Sequence, residues 1–336
     1  MSGATASRVV GVDLGGTKVA VATLSGRQLS DSTVAPTELV DQQALIDQLV
    51  AMVEACREDR LDGVGLGVPS VVEFERGRVV SSANIPLADV PLREVLGERL
   101  GVPVFVDNDA TVAALAEAHD EQLSMVAHNL VMLTVGTGVG GGLVLGGRIY
   151  RGATGGAGEL GHTLIGIDIE NPVAASGFPQ PWSLERAAAG HALDALAARC
   201  AAEHAEGVLG RMRGAGEPVQ GADAVAAARD GDGAAASIVE LWARRLGVGI
   251  ANAINTFDPE EVVIGGGAAQ AGELLLEPAR RTAAGFVLPG LGTRTRIRLA
   301  RHGVRAGVLG AALLAVHELE AANGSESERA PSETSA

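Results

Sequence analysis

The stretch VVGVDLGGTKVAVATL, residues 9–24, decides the fold. Two apolar runs rich in valine flank the turn Gly15-Gly16-Thr17, a pattern that predicts two strands joined by a glycine turn. Glycine lets the backbone of a turn approach a ligand with its amide groups pointing outward, the geometry that holds phosphate oxygens. The segment therefore predicts a β-sheet whose first turn can bind an anion.

The same arrangement of an apolar strand followed by a glycine turn recurs twice, at Gly136-Thr137-Gly138 and at Gly265-Gly266-Gly267. Helical periodicity predicts helices over residues 41–56, 110–119, 184–203, 234–254 and 307–319. A glycine-rich loop is predicted at 207–221. Strands followed by helices predict an α/β architecture. The turns match neither the Walker nor the Rossmann pattern, so they predict a nucleotide site of another kind.

The composition excludes several classes of protein. A length of 336 residues, 47% of them hydrophobic, predicts about two domains with a sizeable core. The net charge is −15, which repels phosphate backbones and anionic lipid, so neither nucleic acid nor a membrane surface is an expected partner. The uncharged stretch at residues 130–147 contains seven glycines and predicts two strands rather than a membrane span. Cys56 and Cys200 are far apart in sequence and suggest a reducing cytosol.

Carboxylates occupy two strand ends. Asp13 ends the first strand beside its glycine turn, where it can hold Mg²⁺ at a polyphosphate or simply cap the turn. Asp109 follows the strand 102–106 at a junction with a helix. It can act as a helix N-cap or accept the proton of a sugar hydroxyl that attacks phosphorus, and position alone favours the cap.

Two further groups carry possible chemistry. Glu159 and His162 lie in the run GELGH, and both side chains can bond vicinal hydroxyls. A lone histidine is more often structural, and spacing does not decide between the two roles. Lys18 is the only lysine of the chain, and it follows the first glycine turn, where an ammonium can meet phosphate.

Four segments, in this order and spacing, resemble the ROK family of sugar kinases and repressors, and most of all its bacterial glucokinases. They are DLGGTK at 13–18, VDNDATVAALAE at 106–117, LTVGTGVGGGLVLGGRIYRGATGGAGELGH at 133–162 and DPEEVVIGGG at 258–267. The resemblance runs from about Val9 to Leu319, and the segment 133–162 is a highly specific signature.

The resemblance implies an actin-like ATPase fold, with two ribonuclease-H-like α/β lobes around a nucleotide and sugar cleft. The expected lobes are residues 1–125 with the helix 306–322, and residues 126–305. The tail 323–336 is polar and rich in Ser and Glu, so we expect disorder there.

The resemblance also implies roles for individual residues. Asp109 corresponds to the catalytic base. The expected sugar-binding residues are Asn84, Asn108, Asp109, Glu159, His162 and Glu185. The expected ATP-binding residues are Asp13, Gly15, Gly16, Thr17, Lys18, Gly136, Thr137, Gly138, Gly265, Gly266 and Gly267, with Asp13 close to Mg²⁺.

The chain departs from the family at the zinc motif C-x-C-G-x-x-G-C-x-E, whose three cysteines join the signature histidine on structural zinc. Residues 176–185 are SGFPQPWSLE, so Ser176, Phe178 and Ser183 stand at the cysteine positions. Zinc prefers thiolate and imidazole, so we expect no zinc and expect His162 to serve the sugar alone.

Prolines and tryptophan are the candidates to replace the metal. We hypothesise that Pro172, Pro179, Pro181 and a buried Trp182 stiffen the loop 166–185. A second departure is Ser70, which follows Pro69 where the family usually has glycine beside the sugar.

The resemblance thus implies ATP-dependent phosphorylation of a hexose, with D-glucose giving glucose 6-phosphate, in the cytoplasm and by a homodimer. Other hexoses or N-acetylhexosamines stay open as acceptors, and polyphosphate stays open as donor. Arg148, Arg151 and Arg186 could bind polyphosphate, although a solvated surface is the simpler interpretation. A non-catalytic sugar sensor also stays open. A DNA-bound repressor is not expected, because only seven residues precede Arg8 and the net charge is −15.

Overall fold

The computed structural model describes residues 7–58, 60–82, 84–168, 170 and 177–329. The strands are β1 (Arg8–Leu14), β2 (Lys18–Ser25), β3 (Gln28–Leu29), β4 (Thr33–Pro36), β5 (Gly63–Val68), β6 (Val71–Glu73), β7 (Arg78–Ser81), β8 (Val104–Asn108), β9 (Leu130–Val135), β10 (Val139–Leu145), β11 (Arg148–Ile149), β12 (Glu261–Gly265) and β13 (Arg296–Leu299). The helices are α1 (Gln42–Ala55), α2 (Leu92–Leu100), α3 (Asp109–Glu117), α4 (Leu184–Ala188), α5 (Gly190–Glu203), α6 (Val208–Gly214), α7 (Gly221–Arg229), α8 (Gly233–Phe257), α9 (Glu273–Phe286) and α10 (Ala306–Arg329).

The chain forms two compact units. The first contains the described residues of 1–126, 148–157 and 304–336, and the second those of 127–147 and 158–303. The segment 148–157, which the expected lobes assigned to the second half, belongs to the first unit. Helix α10 continues to Arg329, into the tail for which disorder was predicted, and residues 330–336 lie outside the described residues.

The first unit is built on a sheet with the strand order β3-β2-β1-β5-β8, and β4 also pairs with β2. β1 and β2 are antiparallel, as expected for strands joined by a tight turn, whereas β1, β5 and β8 are parallel. Helix α10 packs against β1, β5 and α3. Glycine permits this approach, because a Cβ at Gly11 would collide with the carbonyl of Val308, and one at Gly65 with that of Ala311.

The parallel register brings the ends of three strands together. Asp13 of β1 pairs with Gly67 of β5, and Gly67 pairs with Asp107 of β8. Residues that follow these positions therefore emerge at one edge of the sheet. The two strands predicted around the first glycine turn are confirmed as β1 and β2. The predicted helix 41–56 is confirmed as α1, whose N-cap Asp41 accepts a hydrogen bond of 2.8 Å from the amide of Ala44.

In the second unit β9 pairs antiparallel with β10 and parallel with β12, which in turn pairs parallel with β13. Helix α8 packs against α4, α5, α7 and α9. Two predictions are wrong here. The helix expected over 184–203 is broken at Ala189, whose backbone is extended, and the loop expected at 207–221 contains α6. Within the described residues, no helix combines the length and apolar character that crossing a membrane requires.

Candidate functional site

Asp109 is the first residue of α3, and its neighbour Asn108 is the N-cap. The Oδ1 atom of Asn108 accepts hydrogen bonds of 2.9 Å and 3.2 Å from the amides of Ala110 and Thr111. The interpretation of Asp109 as the cap is therefore wrong. The Oδ1 atom of Asp109 accepts an additional bond of 2.8 Å from the amide of Ala110.

Burial changes the acidity of Asp109. The pKa of Asp109 is raised from 3.8 to about 6, and desolvation is the largest cause. The negative charge of Asp13 also raises this pKa, whereas hydrogen bonds to the carboxylate lower it. A carboxyl group with a pKa of about 6 is ionised near neutral pH and still basic enough to accept a proton. Burial also raises the pKa of Asp13, and the charge of Lys18 partly opposes that shift.

Asp13 lies where β1 ends and α10 begins. A side chain at Gly307 would collide with the Asp13 carboxylate, so this helix start is shaped to admit the acid. No described residue donates a hydrogen bond to the carboxylate. Carboxylate oxygens that lack internal donors suit Mg²⁺, which is usually bound through one or two carboxylates, substrate phosphates and water.

The first glycine turn is braced by a residue that sequence reasoning missed. The amide of Gly15 donates to the carbonyl of Lys18 at 2.9 Å, which closes the turn. Thr37 then donates its hydroxyl to the carbonyl of Gly15 at 2.7 Å, and its amide donates to the carbonyl of Thr17 at 3.1 Å. Asn84 packs on the same turn, because a Cβ at position 16 would lie 3.1 Å from the Cβ of Asn84.

Ser70 lies beside the expected sugar residues of the first unit. The Nδ2 atom of Asn108 donates to the carbonyl of Ser70 at 3.4 Å. Ser70 is buried, and its Oγ atom has no hydrogen-bond partner among the described residues. A buried hydroxyl without a partner costs free energy, and a ligand group that hydrogen-bonds to it would recover that cost.

The second glycine turn joins β9 and β10. The amide of Gly136 donates to the carbonyl of Gly138 at 2.9 Å. The break at Ala189 lets the amide of Gly190 donate to the carbonyl of Gly136 at 2.7 Å, which fixes the start of α5 on this turn. The position of Glu185 is set in a similar way, since its Oε2 accepts from the amide of Val139 at 2.8 Å.

A cavity of about 770 Å³ opens beside this turn, wholly within the second unit. Gly136, Thr137 and Gly267 of the predicted nucleotide residues line it. The starts of α5 and α7 also line it, with the polar side chains of His191, Asp194, Gln220, Arg229 and Gln270. Sequence reasoning missed these residues, because nothing local in the sequence connects two helix starts to a distant turn. The volume suits a ligand of nucleotide size.

Of the third glycine turn, only Gly267 lines this cavity. Gly265, the end of β12, and Gly266 lie outside the lining, as does Gly138. Gly266 has φ 78°, and a Cβ there would collide with the carbonyl of Val135, so this position requires glycine.

Glu159 and His162 come together in the second unit. The Nε2 atom of His162 lies 3.8 Å from Oε2 of Glu159. The segment that follows pairs with the start of α4, since the amide of Leu184 donates to the carbonyl of Thr163 at 2.8 Å. The ring of Phe178 meets the His162 ring edge to face, with 5.4 Å between centroids.

The loop that replaces the zinc motif differs from its expected form. Trp182 was expected to be buried, but it is 53% exposed, and Phe178 is 75% exposed. Ser183 is the N-cap of α4 and accepts from the amide of Arg186 at 3.2 Å. Pro172 and Ser176 lie outside the described residues. Among those that are described, no group of three or more His, Cys, Asp or Glu side chains could hold a metal ion.

The sequence profile of the ROK family matches residues 9–318. The chain belongs to the ROK family. The recognition made from the motifs is therefore confirmed, and so is the predicted actin-like, ribonuclease-H-like α/β fold.

Three relatives illustrate what this ROK protein is similar to. A glucokinase of Halalkalibacterium halodurans is 35% identical over 309 residues, which are 90% of this chain and 92% of the relative. An N-acetyl-D-glucosamine kinase of Escherichia coli O127:H6 is 34% identical over 317 residues, 90% of this chain and 98% of the relative. The crystal structure of a ROK family glucokinase from Streptomyces griseus in complex with glucose and AMPPNP has a TM-score of 0.72 at 31% identity, and the match covers 92% of this chain and 99% of that one.

Proposed function

We propose that this ROK protein is a sugar kinase that transfers the γ-phosphoryl group of ATP to a hexose, with D-glucose as acceptor and glucose 6-phosphate as product. The observation that carries the proposal is the half-buried Asp109, which begins α3 and whose carboxyl pKa desolvation raises to about 6. Support for the substrates comes from relatives whose names state glucokinase activity and from one bound to glucose and an ATP analogue.

In the proposed reaction the sugar hydroxyl oxygen attacks the γ-phosphorus while the bond to the β,γ-bridging oxygen breaks. Asp109 accepts the hydroxyl proton, and ADP leaves. Phosphoryl transfer needs little covalent chemistry from the protein, so positioning and charge stabilisation provide most of the rate enhancement. A base is useful here because the hydroxyl oxygen gains positive charge as it bonds to phosphorus.

The remaining residues bind and orient the two substrates. In this proposal the amides of the turns at 15–17 and 136–138, with Lys18, hold phosphate oxygens, and the cavity beside Gly136 takes the nucleoside part of ATP. Asn84, Asn108, Glu159, His162 and Glu185 hold sugar hydroxyls. Mg²⁺ enters with ATP as part of that substrate and neutralises phosphate charge, and the Asp13 carboxylate is suited to bind the ion or its waters.

An N-acetylhexosamine is the second candidate acceptor. The observation in its favour is the N-acetyl-D-glucosamine kinase, whose identity to this chain, 34%, is nearly that of the glucokinase, 35%. The sequence departs from the family at Ser70 and at 176–185, next to expected sugar residues, so the acceptor has to be measured. We also propose that the enzyme acts in the cytoplasm, where ATP is available, and as a homodimer by similarity to the family.

The test is a coupled assay of the purified protein with ATP and Mg²⁺ over a panel of hexoses and N-acetylhexosamines, with polyphosphate as an alternative donor. Saturable turnover of glucose that is lost in Asp109→Asn, with an unchanged circular dichroism spectrum, is the expected result. Turnover of a different sugar but not of glucose would change the proposed acceptor and leave the proposed mechanism in place. Thermal stabilisation by a sugar without any turnover would identify a sugar sensor and overturn the kinase proposal.

A further inference from the structure

A second cavity, of about 920 Å³, lies within the second unit and shares no lining residue with the candidate nucleotide cavity. The loop 177–182 forms one wall, and helices α8 and α9 form the others. We call it the arginine cavity, because Arg186, Arg244 and Arg245 line it. Its apolar lining includes Leu241 and Val248.

No carboxylate of the described residues neutralises the three arginines of this cavity. None forms an ion pair with a carboxylate of the described residues, and Arg245 donates only to the carbonyl of Ala187, at 3.3 Å. By contrast, Arg281 on α9 pairs with Glu240 at 3.6 Å. Acidic residues outnumber basic ones by 41 to 26 in this chain, and three guanidinium groups without carboxylate partners in one cavity are complementary to an anion.

Aromatic side chains face solvent at the same cavity. Phe178, Trp182 and Phe286 line it and are 75%, 53% and 62% exposed. Trp182 has φ 65°, a conformation that costs a non-glycine residue energy and that concentrates at ligand sites. Exposed rings beside guanidinium groups favour a ligand with a planar body and an acidic group, because the rings stack and the arginines pair with the acid.

The loop that lines the arginine cavity also contacts candidate sugar residues. The ring of Phe178 packs against His162 with 5.4 Å between centroids. The backbone carbonyl of Trp182 accepts a hydrogen bond of 2.9 Å from the amide of Ile165, and the next residue, Ser183, is the N-cap of the helix that carries Glu185. These contacts connect the wall of the arginine cavity to His162 on one side and to the helix of Glu185 on the other.

We propose that the arginine cavity binds a small anion with an aromatic body, and that this binding is coupled to His162 and Glu185. The volume is that of a small-molecule site. A second copy of the chain is a poor occupant, because a two-fold contact centred here would bring two sets of the same three arginines together. The coupling rests on the proposed kinase function, whereas the binding does not.

The binding test uses 8-anilinonaphthalene-1-sulfonate, an aromatic anion that fluoresces in apolar sites, and the uncharged N-phenyl-1-naphthylamine as its matched control. We expect saturable binding of the sulfonate with one site per chain, at least about tenfold tighter than that of the neutral probe, since one charged contact changes a dissociation constant by about this factor. AMPPNP in excess must leave the sulfonate bound, because it is expected in the other cavity. Equal affinity for both probes, or displacement by AMPPNP, overturns the proposal.

Variants then locate the bound anion. Arg186→Gln combined with Arg244→Gln should weaken sulfonate binding about tenfold, whereas Arg281→Gln, outside the cavity lining, should not. Unchanged affinity in the double variant overturns the proposal. If the double variant does not fold, quenching of the tryptophan fluorescence of the wild-type protein provides the test.

Trp182 is exposed at the cavity, whereas Trp242 is buried, so a soluble quencher acts mainly on Trp182. The arginines should attract the anion iodide, which should therefore quench better than the cation caesium despite the net charge of −15. Better quenching by caesium overturns the proposal of an anion-binding cavity.

The coupling is measured separately. Saturating sulfonate should change KM for the sugar by at least about threefold and leave KM for ATP unchanged, and no change in KM overturns the coupling. The binding test does not require kinase activity. An inactive protein would contradict the proposed function, and the binding test would still decide whether the arginine cavity binds the anion. The two failures are therefore distinguishable.

Discussion

The Nε atom of Arg151 donates a hydrogen bond of 2.7 Å to Oδ2 of Asp107, a carboxylate that is 2% exposed. The same guanidinium reaches Glu318 at 3.1 Å and lies over the ring of Phe74, 3.3 Å from its centroid. Burial raises the pKa of Asp107, and Arg151 is the main group that opposes this shift. β8 ends one residue after Asp107, so the pair anchors the strand end that precedes Asp109.

Arg151→Met should therefore lower the free energy of unfolding by about 3 kcal/mol, because it leaves a buried carboxylate without its partner while retaining an apolar side chain over Phe74. Urea denaturation measures the loss. Combining it with Asp107→Asn should recover part of the stability, since the unpaired charge is then gone. Arg76→Met is the control, because Arg76 is 73% exposed and its pair with Glu73 is 3.6 Å long. A loss no larger than that of the control would contradict the anchoring role.

The sequence predicts the parts of this fold that depend on local pattern. The strands around the turn at 15–17 and the helix α1 are marked by apolar periodicity, and both form as expected. The glycine turns were also recognisable, because a strand that runs into consecutive glycines has few other structures available.

Long-range hydrogen bonds account for the failures. Residues 184–203 have continuous helical propensity, and the break at Ala189 exists because Gly190 bonds to Gly136, more than fifty positions earlier. The helix α6 begins at Val208, whose amide donates at 3.0 Å to Asp232, far along the chain. The exposure of Trp182 and the lining of both cavities depend on tertiary packing in the same way, and no local pattern predicts them.

The shifted acidity of Asp109 predicts a pH profile. If Asp109 is the base, only its ionised form is active, so kcat/KM for the sugar should fall about tenfold per pH unit below pH 6. Asp13→Asn removes a negative charge that raises this pKa, so the acidic limb should move to lower pH even as activity drops. Asp47→Asn, at an exposed position on α1, should leave the limb unchanged. A limb that Asp13→Asn does not move would contradict the assignment.

The raised pKa of Asp109 also means that this residue destabilises the folded state at neutral pH. A pKa that is higher in the folded than in the unfolded chain means that stability is lost as pH rises from 3.8 to about 6, and the full penalty applies above that range. Asp109→Asn should therefore raise the free energy of unfolding at pH 7, by at most about 3 kcal/mol, while it abolishes activity. Denaturation at pH 4 and pH 7 measures this, and a stabilisation equal at both pH values would argue against the charge as its cause.

Ser70 should contribute to sugar binding. Its buried Oγ lacks a partner among the described residues and lies next to Asn108, so a sugar hydroxyl could satisfy it. Ser70→Ala should stabilise the free protein by about 1 kcal/mol and raise KM for the sugar about fivefold with little change in kcat. Ser237→Ala, on the exposed face of α8, is the control. Stabilisation without any change in KM would leave Ser70 with a structural role only.

His191 should contact the nucleotide. Its Nδ1 lies 2.9 Å from the carbonyl of Thr137, and because a carbonyl only accepts, Nδ1 must carry the proton in this bond. The other ring nitrogen, Nε2, is buried and has no partner among the described residues, although the side chain lines the nucleotide cavity. A polar group of the bound nucleotide would complete it.

His191→Ala should therefore raise KM for ATP about tenfold, since one buried hydrogen bond is lost, and leave KM for the sugar unchanged. It should also reduce the thermal stabilisation that AMPPNP provides. His204→Ala is the matched control, because His204 is exposed at the end of the same helix and lies outside the cavity lining. Equal KM for ATP in the two variants would show that the cavity beside Gly136 binds its ligand without His191.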